Sequence, residues 1–289
     1  MRMNGNRSER ILVLDYTADT DLASIKLLAC DMDLTLLASD GSQPEGMTER
    51  IRALTEHGVV FCPASGRPNA TLALMFPEVA DEIALCGDNG ALISYQGETV
   101  YENLIDHTLY HELLNTAAAT ERCVPVLCAL ECAYVLERDR PYHDEVYKYY
   151  KDIRYVNSFD EVDPESDKVS LLCPAYDSME QFTEIYDPQF GERLMVTCAG
   201  REWIDLMNTG VNKGAGVTRL CEHLGIDLAD AAAAGDTHND IQMLEAVGHS
   251  FLVANAADHM HAHAKFQIPS NDDRGVAVLI DAILDAKKH

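Results

Sequence analysis

Residues 25–30, Ile-Lys-Leu-Leu-Ala-Cys, make a short apolar run that stops at two acids, Asp31 and Asp33. A run of this length reads as a strand buried on both faces, and such strands belong to parallel sheets whose carboxyl ends open onto ligand sites. The pattern then recurs. Residues 47–58 have helical composition and a glycine stop, and Val59-Val60-Phe61-Cys62 is a second apolar run ending in Pro63-Ala64-Ser65-Gly66-Arg67. That is one strand–helix–strand unit. A third run, residues 82–86, reaches the turn Gly87-Asp88-Asn89-Gly90, which reads as a domain boundary.

From about residue 91 to 195 the character changes: tyrosine becomes frequent, stretches such as Ala133-Tyr134-Val135-Leu136 alternate, and no acid cluster follows an apolar run. This stretch reads as an inserted α+β domain. The earlier pattern resumes with Trp203-Ile204-Asp205-Leu206, a helix over about 214–224, and a run of alanines over 231–234 that ends at Gly235-Asp236. A helix over 240–246, the strand Phe251-Leu252-Val253 and a closing helix over 275–286 complete the count. The expected fold is therefore α/β. Its core is a doubly wound, Rossmann-like parallel sheet built from residues 25–88 and 196–289, with an α+β cap domain at 89–195 and an N-terminal extension at 1–24.

Composition bounds the function. With 289 residues, 47% of them hydrophobic, the chain can bury a large core. Its 22 Lys+Arg against 48 Asp+Glu give a net charge of −26, which opposes nucleic acid and anionic membranes as partners. A local basic pocket can still hold a small phosphate. No stretch approaches the ~20 apolar residues of a membrane span, and the polar first ten residues do not make a secretory signal, so a cytoplasmic location is expected. Nine cysteines without a CxxC pair read as reduced, buried thiols.

Four clusters fall where loops of such a sheet converge: Asp31-Met32-Asp33-Leu34-Thr35, Ser65-Gly66-Arg67, Asn212-Lys213-Gly214 and Gly235-Asp236-Thr237-His238-Asn239-Asp240. Together they supply what phosphoryl transfer requires: a nucleophile, an acid/base, ligands for a divalent cation, and donors for the phosphoryl oxygens. Asp31 is placed to attack phosphorus. Asp33 is placed to protonate the leaving alcohol and then take a proton from water. Asp236, with Asp31 and the Asp33 backbone carbonyl, suits Mg²⁺, and Asp240 is expected to hold a water on that metal, with Thr35 also behind the ligands. Ser65, Gly66, Lys213 and Asn239 are the phosphate-binding candidates. Asp19-Thr20-Asp21 has the same carboxylate spacing as the first cluster but no buried strand ahead of it.

The order DxDxT, SGR, NKG, GDxxND resembles the haloacid dehalogenase (HAD) superfamily of phosphohydrolases, and the insertion resembles the type IIB cap of its Cof-like branch. Asp88-Asn89-Gly90-Ala91, expected at the cap entrance, Ala254-Asn255-Ala256 and residues 271–276 agree with it. The resemblance implies a Mg²⁺-dependent phosphatase acting through an aspartyl-phosphate on Asp31 toward a small phosphorylated metabolite such as a sugar phosphate. A phosphomutase with the same intermediate and a non-enzymatic phospho-accepting module are the alternatives. Two features depart from the family: Leu34 stands where glycine is usual, and residues 1–24 precede its usual start.

Other groupings carry less. Arg67 either faces substrate or braces its loop, and Asn89 is a further substrate candidate. His259 and His263 would share a helix face, with His261 off it, as expected of a polar surface helix. Cys123, Cys128 and Cys132 match no zinc or iron–sulfur spacing, and Trp203 reads as a packing residue.

Overall fold

The computed structural model describes residues 13–288. The first lobe carries strands β1 (Leu14–Asp15), β2 (Leu27–Asp31), β3 (Val60–Ala64), β4 (Ala84–Gly87), β5 (Leu92–Tyr95) and β6 (Glu98–Glu102). The second carries β7 (Val124–Ala129), β8 (Ala133–Leu136), β9 (Ile153–Val156), β10 (Ser166–Leu172), β11 (Leu194–Ala199) and β12 (Trp203–Asn208). The chain then returns to the first lobe with β13 (Ala231–Gly235), β14 (His249–Val253) and β15 (Phe266–Ile268).

The core sheet has the order β1-β15-β14-β13-β2-β3-β4-β5-β6. It is parallel from β1 to β4, and β5 and β6 close one edge as an antiparallel hairpin. Every residue of β2 and β13 is buried, because helices cover both faces. Leu28 and Cys30 pack with Ile51 and Ile280 from helices Met47–Glu56 and Gly275–Ala286. Leu27 and Ala29 face the opposite way, toward Val217 and Met243 of helices Lys213–Leu224 and Ile241–Ala246. Strand succession runs to one side of β2 through β3 and β4, and to the other through β13 to β15. Loops at the carboxyl ends of β2 and β13 thus meet at a switch point, where such sheets bind ligands.

The cap sheet has the order β11-β12-β10-β7-β8-β9, antiparallel except for the β8–β9 pair. Helix His107–Thr120 covers one face, where Tyr110 and Leu113 pack on Leu127, Leu171 and Leu206. The alternate residues Lys168, Ser170 and Leu172 of β10, paired in register with Met207, Asp205 and Trp203 of β12, look the other way. That face borders the cleft between the lobes.

The expected α/β core with an inserted cap is present, but the seams fall elsewhere than residues 89 and 195. Residues 92–102 belong to the core sheet, because β5 pairs with β4. Asp88-Asn89-Gly90 is accordingly a turn inside the core rather than the cap entrance. Residues 203–206, expected to resume the core, lie in β12 of the cap, where β10 and β11 flank them. An apolar strand carries no mark of which sheet it joins; hydrogen-bond partners distant in sequence decide that. Of the expected extension, residues 1–12 lie outside the described region, and 14–24 pack on the core edge. There β1 pairs with β15, Leu22 is buried, and Asp19 accepts from His249 at 2.7 Å.

All nine cysteines are free thiols, eight of them buried. Among the described residues no helix is long and apolar enough to cross a membrane. Residues 258–263 form a 3-10 turn in which His259 meets His238 and His263 meets Glu245, so the two imidazoles do not share the single helix face expected of them.

Candidate active site

Asp31 is the last residue of β2 and is buried. The chain then turns through Asp33 and Leu34, the latter at φ +60°. Its neighbours bring the remaining groups. Ser65 follows β3, Asp88 follows β4, and Asp236 follows β13, each at a carboxyl end of a parallel strand. Lys213 opens helix Lys213–Leu224, which Asn212 caps by accepting from the Ala215 amide at 2.8 Å.

The centre is a buried triad of charges. Lys213 donates to Asp31 Oδ1 at 2.5 Å and to Asp240 Oδ1 at 2.7 Å, with no exposed surface of its own. Burial works against its ammonium charge, but the carboxylates of Asp240 and Asp31 outweigh this and hold its pKa above the usual lysine range. Asp240 Oδ2 accepts the backbone amides of Asp236 and Thr237 at 3.0 and 3.1 Å. Gly235 is required there, because a Cβ would stand 2.7 Å from the Asp240 side chain. Asp240 thus positions Lys213 and the turn that presents Asp236.

The other oxygen of Asp31, Oδ2, is buried and has no hydrogen-bond partner. Burial, and next the charge of Asp240, push the Asp31 carboxyl up to about 8 despite Lys213. Asp236 is pushed up to about 6, again chiefly by burial and then by Asp240, while its hydrogen bond from Thr35 at 3.2 Å opposes the rise. Atoms of Asp31, Asp236 and Asp240 lie within 4.8 Å of one another. Crowded, desolvated carboxylates with an unsatisfied oxygen are what a hard divalent cation neutralises, so this set fits Mg²⁺.

Around this centre, Asp33 is exposed to a cavity of about 470 Å³ between core and cap, lined also by Leu34, Ser65, Arg67, Asn89 and Asn239. Arg67 grips Asp33 through both guanidinium NH₂ groups, so it braces the loop while also lining the cavity. Ser65 is buried, and its Oγ accepts the Arg67 amide at 3.2 Å. Asn239 donates to the Asn89 side chain at 3.3 Å. Asn89 stands at φ +53° in a run of left-handed residues, 88–90, a conformation Asn tolerates well. All eleven site candidates from the sequence, Asp31, Asp33, Thr35, Ser65, Gly66, Arg67, Asn89, Lys213, Asp236, Asn239 and Asp240, therefore stand around one centre and its adjoining cleft.

Sequence reasoning missed the cap's contribution. Lys168, fully buried, donates to Gly66 O at 2.7 Å and pairs with Asp88 at 2.7 Å, fastening β10 onto two core loops. Asp205 accepts from Ser170 at 2.6 Å on the cavity wall. The readable signal was a lysine and an aspartate inside strand-forming stretches, Lys168 in β10 and Asp205 in β12. Trp203 both packs in the cap and lines the cavity.

The geometry agrees with known proteins. A profile of haloacid dehalogenase-like hydrolases matches residues 28–280. The chain is 29% identical over 267 residues to the 5-amino-6-(5-phospho-D-ribitylamino)uracil phosphatase YbjI of Escherichia coli, spanning 90% of this chain and 97% of that one. A crystal structure of a haloacid dehalogenase-like hydrolase from Bacteroides thetaiotaomicron superposes with a TM-score of 0.80 at 23% identity, covering 90% of this chain and 99% of that chain. A HAD subclass IIB sugar phosphatase has the same fold, with a TM-score of 0.72 at 20% identity over 89% of this chain and 98% of its own. With its site at the switch point of a capped α/β sheet, this enzyme belongs to the haloacid dehalogenase-like hydrolases.

Proposed function

We propose that this hydrolase is a Mg²⁺-dependent phosphatase that cleaves a small organic phosphate through an aspartyl-phosphate on Asp31. The observation that carries the reading is the state of Asp31: a buried carboxylate with one oxygen held by Lys213 and the other unpartnered, beside the cavity that Asp33 lines. The chain's similarity to a phosphatase of a phosphorylated aminouracil supports a small phosphorylated metabolite as substrate.

A carboxylate oxygen of Asp31 attacks phosphorus, and the bond from phosphorus to the alcohol oxygen breaks as the acyl phosphate forms. Asp33 gives a proton to the departing oxygen. In the free enzyme Arg67 pairs with Asp33; an incoming phosphate dianion competes for that guanidinium and frees Asp33 to carry the proton. Water then loses a proton to Asp33 and attacks phosphorus, which restores the Asp31 carboxylate and releases inorganic phosphate. The balance is ester plus water to alcohol plus phosphate. Lys213 and Ser65 hold phosphoryl oxygens, and Asn239 adds an amide. Asp31, Asp236 and the Asp33 carbonyl would hold Mg²⁺, which when bound would supply positive charge to the phosphoryl group and the crowded carboxylates.

Phosphate release from p-nitrophenyl phosphate with Mg²⁺ tests this. Wild type is expected to turn over, Asp31→Asn to fall by at least about a thousandfold, and Asp33→Asn to accumulate phosphorylated protein. Equal rates for wild type and Asp31→Asn would sink the mechanism.

A further inference from the structure

We propose that Leu34 selects the leaving group, and that the substrate is a phosphate ester whose alcohol carries a flat apolar or aromatic ring rather than a polyhydroxylated sugar; this rests on the phosphatase reading above. Leu34 sits at φ +60°, ψ 7°, the left-handed region where a bulky side chain is disfavoured. Core packing does not offset that cost, since the residue is 48% exposed. Asn255 holds the conformation by donating to the Leu34 carbonyl at 2.8 Å. A strained residue kept in place by its surroundings and directed into a cavity is characteristic of a functional position.

The rest of the cavity matches an apolar side chain. Tyr149 and Trp203 enter from the cap as an edge-to-face pair, with ring centroids 5.5 Å apart at 78°. The polar groups beside them are already engaged with one another. Lys168 is held by Gly66 and Asp88, the hydroxyls of Tyr150 and Ser170 meet at 2.9 Å, and Ser170 donates to Asp205. A hexose would turn several hydroxyls toward the apolar wall of Leu34, Tyr149 and Trp203, which offers them no matching ring of partners. A ring would lie against Leu34 and the aromatic pair, and a single N–H or O–H on it could reach the Asp205 carboxylate.

The test compares kcat/KM for benzyl phosphate, glucose 6-phosphate and acetyl phosphate, with Mg²⁺ present, in wild type, Leu34→Gly and Leu34→Ala. Wild type is expected to favour benzyl phosphate over glucose 6-phosphate, and Leu34→Gly to lower that preference by roughly tenfold or more, with Leu34→Ala in between. Relief of strain should leave the melting temperature of Leu34→Gly at or above that of wild type. A wild-type preference for glucose 6-phosphate, an equal change on all three substrates, or a large drop in melting temperature would each overturn the assignment. Failure of wild type to release phosphate from acetyl phosphate would instead overturn the phosphatase reading on which it rests.

Discussion

Lys213 shows how much a single side chain can carry in this site. It is a fully buried cation between two carboxylates, Asp31 and Asp240, and the charges tolerate burial only because each has its partner. Replacing it with methionine keeps the shape but strands both acids, so Lys213→Met is expected to lower stability by about 3–5 kcal/mol, read from urea denaturation midpoints. An unchanged midpoint would show that the triad is not the electrostatic unit described. At the same scale, Arg67 and Asp33 resolve an alternative that the sequence leaves open. The guanidinium braces the acid and also faces the cavity, and neither role is visible in a Ser-Gly-Arg string.

At the scale of elements, strand β10 ties the cap to the core through charges that are themselves buried. Lys168 reaches Asp88, and Asp167 beside it is a second buried carboxyl that feels the charge of the same acid. Burial, and next the charge of Asp88, hold Asp167 well above the ordinary carboxylate range. The native state thus keeps a proton that the unfolded chain releases above the ordinary aspartate value of 3.8. Its stabilising contribution is complete below that value and is lost as pH rises through the raised native pKa. Asp167→Asn removes the titrating group, so the variant should gain on wild type as pH increases. Urea midpoints at pH 5, 7 and 9 would show this, and a constant difference would refute it. The same strand explains why the cap residues escaped sequence reading. An inward lysine in an alternating strand identifies a face but does not name the surface it meets.

Across the whole molecule, the two lobes place an acidic centre at a switch point inside a protein of net charge −26. Mg²⁺ is expected to raise the melting temperature by several degrees, because a ligand that binds only the native state adds about 2.7 kcal/mol at a hundredfold excess over its Kd. Asp236→Asn should abolish that shift without needing any substrate, and a shift that survives the substitution would place the metal elsewhere. The chain itself determined the alternation of apolar runs and helices, the acids at strand ends and the interruption of the core by a cap. Those features are written locally, in burial period and turn chemistry. Tertiary structure alone decided that residues 92–102 extend the core sheet and 194–208 the cap sheet, that Asp240 pairs with Lys213, and that Lys168 fastens the lobes. Strand neighbours and buried charge pairs are contacts between residues far apart in sequence, and proximity in space, not residue type, sets which partner each one finds.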